Sequence, residues 1–407
     1  MNVAHLAVKA IEGSVSAPAG FRAAGVACGI KKTGALDLAL IVSDTEAAAA
    51  AVFTTNRAQA APVLVSKRLV DGSGGRARVV AINSGCANAC TGPEGTETAE
   101  AMAKAAASVV NARTDRALIA STGVIGVALD RERVVAGITA AAGALSRDGG
   151  PAAARAIMTT DPFPKEAAVE VTTASGTFRV GGIAKGSGMI EPLMATMLAV
   201  VTTDAAVEPA LLQRALSEVT NVTFNAITVD GECSTNDCVF ALANGASGVT
   251  IGEADLDVLI EALRGVCEPL AIGIVRGGEG ATKLVTVEVT GGRTAGEAKQ
   301  AARAIANSPL VKTAVHGADP NWGRLIAVAG RAGVAFDLER ARVRIGDVEL
   351  FAGGRPFDER APQASAHLQG REVLLQVDLR TAGTGAARMW TCDLSADYVK
   401  INAEYRT

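Results

Sequence analysis

Residues 167–205 constrain the fold more than any other part of the chain. AAVEVTTASGTFRVGGIA (167–184) alternates along its length and turns at Ser175-Gly176, the pattern of a β-hairpin. It runs into a glycine-rich stretch, Gly181 to Gly188, that carries one cation, Lys185. Pro192, Ala195 and Thr196 follow, and Thr196 leads the apolar, strand-like run Met197 to Val201. A hydroxyl residue at the head of a buried strand, after Ala and a glycine-rich loop, is a place where a peptide bond can be bent and attacked by the next side chain. Cutting Ala195–Thr196 would give Thr196 a free α-amine beside its own hydroxyl. That amine, with an ordinary pKa near ~8, is the base a threonine otherwise lacks. Without such a cut, Thr196 is a β-former at a strand start and the glycines are hairpin residues.

The 407 residues are enough for two domains or one large layered unit. Charged residues make up 20% and apolar residues 49%, which argues against disorder. Aromatics are only 3% and the net charge is −3, so neither a stacking surface nor an electrostatic footprint for nucleic acid is expected. Seven cysteines, an odd number widely spread, imply no disulfide framework and read as small buried apolar residues. With three histidines, the soft ligands are too sparse for a structural zinc site. No long apolar run or signal-like start occurs, so a cytoplasmic protein is expected.

Short β segments are expected at 36–44, 48–55, 61–67 and 77–83, then a helix at about 98–110 and a strand at 117–121. Helices are expected at 131–146, 151–159, 209–220, 254–270 and 295–308, and strands at 225–230 and 283–290. The tail from 341 onward reads mostly as strand. Mixed helices and hairpins predict an α+β layered fold.

Several motifs then resemble one family from end to end. They are AGVACGIK (24–31), AAVFTTNRAQAAPV (50–63), INSGCANACTG (82–92), STGVIG (121–126), IMTTDPFPK (157–165) and GIAKGSGMI with MATML (182–198). TVDGECSTND (228–237), GGEGATK (277–283), DPNWGR (319–324) and YVKINAEYRT (398–407) continue the series. Together they resemble the ornithine acetyltransferase, or glutamate N-acetyltransferase, family of arginine biosynthesis. The resemblance implies two β-sheets sandwiched by helices, similar to N-terminal-nucleophile hydrolases. It also implies self-cleavage at Ala195–Thr196 into chains 1–195 and 196–407, two of each, without metal or cofactor. Acetyl passes from N-acetylornithine to glutamate through Thr196; a bifunctional member would also accept acetyl-CoA. An aminopeptidase or amidase of similar fold, with water as acceptor, is the alternative.

By the same resemblance Thr122 and Gly123 form the oxyanion hole, where each donor is worth about 3–4 kcal/mol. Thr159, Lys185, Glu279, Asn402 and Thr407 join Thr196 as substrate contacts. From the residues alone, Thr122-Gly123 is a strand-ending turn, Lys185 a solvated loop lysine and Glu279 an exposed turn charge. TVDGECSTND lacks the ligand order of a calcium loop and reads as a structural turn. Trp322 and Arg324 read as anchors of a polar turn. Leu193, after Glu191-Pro192, and Cys86 stand where the family more often has asparagine-like residues, which bears on substrate preference and cleavage rate.

Overall fold

The computed structural model describes residues 7–191 and 197–404. They form two compact units. Unit 1 takes the chain up to Asn225 together with Glu232–Ile274; unit 2 takes Ala226–Gly231 and the chain from Val275. The described residues on both sides of the expected cut, 7–191 and 197–225, belong to unit 1.

Unit 1 is built on β1 (Ala7–Ile11), β2 (Phe21–Val26), β3 (Leu38–Phe53), β4 (Arg76–Cys86), β5 (Ala117–Val124), β6 (Lys165–Thr173), β7 (Gly176–Lys185), β8 (Leu198–Thr203) and β10 (Cys238–Ala243). Two short strands, β9 (Ala206–Val207) and β11 (Thr250–Ile251), pair separately. The main sheet runs β1-β6-β7-β8-β10-β3-β4-β5, with β2 also paired to β3. The expected segments 36–44 and 48–55 are one sixteen-residue strand, β3, whose pairing with β4 shifts between Val42 and Ala47. Around it lie α1 (Ala61–Gly72), α2 (Gly92–Ser108), α3 (Arg131–Gly143), α4 (Gly150–Ala156), α5 (Pro209–Val222) and α6 (Leu256–Arg276).

Alternation along these strands feeds two cores. Leu38, Leu40, Val79, Ala81, Ala117 and Ile119 pack with α2 and α3. Their neighbours Ala39, Ile41, Val80, Ile82, Leu118 and Ala120 face the other way and pack with Ile183, Leu198, Val200 and Phe240. The second core thus runs from β5 at one end of the strand order to β7. Five strand steps separate β5 from β7, about 24 Å in a flat sheet at roughly 4.8 Å per step. Yet Lys185 Nζ lies 3.2 Å from Thr122 Oγ1. The sheet therefore folds over on itself, giving two layers with apolar residues between them, Ala153, Ala154 and Ala156 of α4 included.

Unit 2 holds β12 (Leu284–Gly292), β13 (Arg342–Ile345), β14 (Val348–Ala352), β15 (Arg355–Pro356), β16 (Glu372–Asp378) and β17 (Gly385–Cys392), in the order β15-β14-β13-β16-β12-β17. Its helices are α7 (Ala295–Ala306), α8 (Pro309–His316), α9 (Trp322–Arg331), α10 (Ala361–Leu368) and α11 (Ala396–Glu404). Val285, Val287 and Val289 enter its core with Val373, Leu375 and Val377. Trp322 stacks on Phe351 at 4.9 Å, and Arg324 Nη1 donates to the Leu310 carbonyl at 2.6 Å, so the DPNWGR anchors hold.

The α+β layered expectation is met, with local corrections. Residues 61–67 are helix α1: Pro62 sits in its first turn, where a missing N–H costs nothing, and Val63, Val65 and Val70 are buried in three different clusters. Residues 225–230 are no strand; a short 3-10 turn ends at Ala226 and Ile227 makes one bridge to Trp390. The tail contains two helices, and the last described residues are α11. Gly181 and Gly182 belong to β7 and not to a loop. A Cβ on Gly181 would come within 2.1 Å of the Ser14 carbonyl oxygen, and one on Gly182 within 2.8 Å of Val266 in α6. All seven cysteines are free, and Cys90 is exposed, against the buried reading. Among the described residues no helix is long and apolar enough to cross a membrane.

Candidate active site

Thr122 and Gly123 lie within β5 and do not end it; they pair in parallel with Ser84 and Gly85 of β4. The register shifts at Gly85–Cys86, a bulge opposite the Thr-Gly pair. Gly123 has φ +127, and a Cβ there would meet the Gly85 carbonyl carbon at 2.4 Å. Only glycine fits.

Lys185 is the last residue of β7, paired with Leu198 of β8, and is 5% exposed. It is no solvated loop charge. Ile183 and Lys185 share one face of β7, as Leu118, Ala120 and Thr122 share one of β5, which is how the ammonium reaches the Thr122 hydroxyl.

The main support of this arrangement is Asp161, which sequence reasoning passed over. Its Oδ1 accepts from Lys165 Nζ at 2.5 Å and from the Gly186 N–H at 2.7 Å; its Oδ2 accepts from the Thr159 N–H at 3.1 Å. Burial alone would push this carboxyl up, but Lys185, Lys165 and the Gly186 N–H outweigh it and hold the acid below the usual carboxylate range. Thr159 and Gly186, the latter directly after Lys185, are thus tied to one buried anion. The signal was inside IMTTDPFPK, but its two prolines exclude the helix in which an acid and a lysine four apart normally meet. Lys31 completes a group of three lysines: burial pulls its ammonium down, while Asp37 and Asp161 oppose that and Lys185 adds to it.

A buried polar chain supports β5. Asn236 Nδ2 donates to the carbonyls of Ser121 (2.9 Å) and Ala87 (2.6 Å), and Ser121 Oγ donates to Asn83 Oδ1 at 2.6 Å. Cys86 is buried, and its thiol donates to the Val127 carbonyl at 3.3 Å, so at that departure the side chain serves packing. Glu191 donates its N–H to the Glu232 carbonyl at 2.8 Å. Pro192, Leu193, Ala195 and Thr196 lie outside the described residues, as does Thr407.

In unit 2, Glu279 is buried (7% exposed), not an exposed turn charge. Its Oε2 accepts from Asn402 Nδ2 at 2.9 Å, so the structure brings these two expected residues together. Gly280, at φ +67, allows α11 to approach: a Cβ would lie 2.4 Å from the Tyr398 nitrogen. Ser395 Oγ donates to the Gly280 carbonyl, and Asp393 accepts from the Thr282 and Lys283 N–H groups, the Thr282 hydroxyl and His316 Nδ1. Burial would raise the Asp393 carboxyl, but the Thr282 hydroxyl, His316 and the two N–H groups hold it down. The GGEGATK loop is fixed at its middle and at its C-terminal end, beside Glu279.

Residues 22–407 match the ArgJ family model. The chain is 50% identical to an arginine biosynthesis bifunctional protein ArgJ of Synechococcus sp. over 98% of both chains. It is also 50% identical to the protein of the same description from Symbiobacterium thermophilum, over 98% of this chain and 99% of that one. The crystal structure of an ornithine acetyltransferase complexed with ornithine from Mycobacterium tuberculosis aligns at 41% identity and TM-score 0.42, covering 46% of this chain and 98% of that one.

Proposed function

The chain belongs to the ArgJ family and is an acetyltransferase of arginine biosynthesis; we propose that it works through a nucleophile it makes itself, Thr196. Self-cleavage at Ala195–Thr196 gives chains 1–195 and 196–407, which stay together, two of each. The new α-amine takes the Thr196 hydroxyl proton as Oγ attacks the acetyl carbon of N-acetylornithine. The developing oxyanion is met by Thr122 and Gly123; the amine returns its proton to departing ornithine, and acetyl-Thr196 remains. Glutamate then takes the acetyl group, giving N-acetylglutamate, in a ping-pong cycle that needs no metal or cofactor. Acetyl-CoA is a second donor for the same acyl-enzyme. Glu279 and Asn402, with Thr159, Lys185 and Thr407, hold the ammonium and carboxylate groups of the substrates. The reaction takes place in the cytoplasm.

The observation that carries this reading is the contact of Lys185 with Thr122. It fixes a hydroxyl beside a position where only glycine fits, a backbone able to come close to a developing charge. The test is an intact-mass and donor–acceptor experiment on the purified protein. Two fragments split at 195/196, an adduct of one acetyl group on residues 196–407 after N-acetylornithine, and its discharge by glutamate are expected. Thr196→Ala should stay one chain and be inactive. Normal processing of that variant, or acetate release at equal rate with and without glutamate, would refute the reading; the latter is the hydrolase outcome.

A further inference from the structure

Five aspartates of the described residues are buried: Asp37, Asp161, Asp204, Asp237 and Asp393. Four of them engage both oxygens. Asp37 accepts from the N–H groups of Cys28, Ile30 and Lys31, and Asp204 from those of Ala19 and Arg179. Asp161 and Asp393 are engaged as described above. Asp237 is different: its Oδ2 is buried and has no hydrogen-bond partner, while the carboxyl is otherwise held by the N–H of Met197 and by Ser234. A buried polar atom left without a partner lowers stability, so one kept in place calls for a function.

Strand pairing explains why it sits there. β10 and β8 run parallel with Cys238 opposite Leu198, and the Cys238 N–H donates to the Met197 carbonyl at 3.2 Å. The residues that precede the two strands, Asp237 and Met197, are therefore side by side. The Asp237 carbonyl accepts from the Thr54 N–H at 3.0 Å, which locks its backbone. Met197 follows Thr196 directly in the chain, so the scissile nitrogen is one residue, about 3.8 Å of chain, from the group that Asp237 grips. Burial pushes the Asp237 carboxyl well up, and Lys185, the Met197 N–H and Ser234 oppose this without overcoming it. Burial thus favours the protonated form of this carboxyl, one oxygen of which has no hydrogen-bond partner.

We propose that Asp237 is the proton relay of self-cleavage at Ala195–Thr196, an inference that rests on the self-cleaving reading above. As Thr196 Oγ bonds to the Ala195 carbonyl carbon and the Ala195 C–N bond breaks, Asp237 gives its proton to the leaving nitrogen. It takes in exchange the proton released by the Thr196 hydroxyl, and ends as it began. Water then hydrolyses the resulting ester, which restores the Thr196 hydroxyl and frees the Ala195 carboxylate.

The experiment follows cutting of the full chain over time by intact mass in the parent, Asp237→Asn, and Asp237→Ala with and without sodium formate, using sodium chloride as control. Folding is checked by circular dichroism. Both variants should fold, cut at least ~10-fold more slowly than the parent, and the alanine variant should recover cutting in proportion to formate. Parent-like cutting of Asp237→Asn overturns the proposal. So does slow cutting of Asp237→Ala that formate leaves unchanged, which is what a packing role would give. If the asparagine variant is not recovered folded, the formate arm alone decides. An uncut parent instead refutes the self-cleaving reading.

Discussion

Asp161 and Asp237 are two buried carboxyls of the same unit, each within the field of Lys185, and their titrations are shifted in opposite directions. Asp161 has two lysines and two backbone donors and is ionised. Asp237 has one backbone donor, one side-chain donor and an orphaned oxygen, and burial pushes its carboxyl well up. Burial penalises the charged form of both; the number of donors and nearby cations decides the direction of the shift. A saturated anion cannot give or take a proton without breaking its ties, so Asp161 fixes geometry. An unsaturated acid can do both, at a cost in stability. Structural and chemical duties have been separated between two residues of one type.

The largest effect expected from breaking this contrast comes at Asp161. Asp161→Ala would leave Lys165, itself 3% exposed, without its counter-ion. Removing one partner of a buried pair costs about 3–5 kcal/mol, which thermal unfolding should register as a clear drop in Tm. Adding Lys165→Met should recover much of the loss. If the single substitution is silent in the melt, Asp161 does not have the supporting part given to it here.

Next in size is an effect on turnover. Lys185 is electrostatically coupled to both acids but donates to Thr122, so the hydroxyl depends on the lysine that the two carboxyls surround. Thr122→Ala should lower kcat by about 10²–10³ with little change in KM, because an oxyanion donor acts on developing charge. The measurement is steady-state kinetics with N-acetylornithine and glutamate. A changed KM at constant kcat would move Thr122 to ground-state binding.

How much of this was legible in the sequence depended on range. The β6–β7 hairpin, the strand after Thr196 and helices α2, α5, α6 and α7 follow from local periodicity and were readable. APVLVSK departs from the strand that Val63 and Val65 suggest, because Pro62 in a first turn allows a helix and burial on more than one side completes it. Gly181 and Gly182 looked like loop residues because glycine is permissive; here they are required by close neighbours far away in sequence, Ser14 and Val266. Of the site, Lys185, Thr122 and Glu279 could be named through the family motifs. Their burial, and the roles of Asp161, Asn236 and Asp237, could not, because each depends on at least one partner tens of residues distant in the chain.

The smallest expected effect is on stability, and its sign separates the two acids most cleanly. Asp237 binds its proton more tightly folded than unfolded, since burial raises its carboxyl well above the ordinary range. Between ordinary carboxylate titration near pH ~4 and its own raised value, the native state therefore holds more protons than the unfolded state. The linkage slope is negative there, and stability falls as pH rises. The contribution is fully present below pH ~4 and lost on passing upward through the folded value. For Asp161 the order is reversed: its stabilising part is present above the ordinary range and lost as pH falls through its depressed value. Asp237→Asn removes the titration but keeps a carbonyl oxygen for the Met197 N–H. The Tm of this variant relative to the parent should therefore improve as pH rises from the ordinary carboxylate range to the raised folded value, while Asp161→Asn shows no such gain. A Tm difference between Asp237→Asn and the parent that stays flat across that range would mean that Asp237 is ionised in the folded protein, and the contrast between the two carboxyls would be gone.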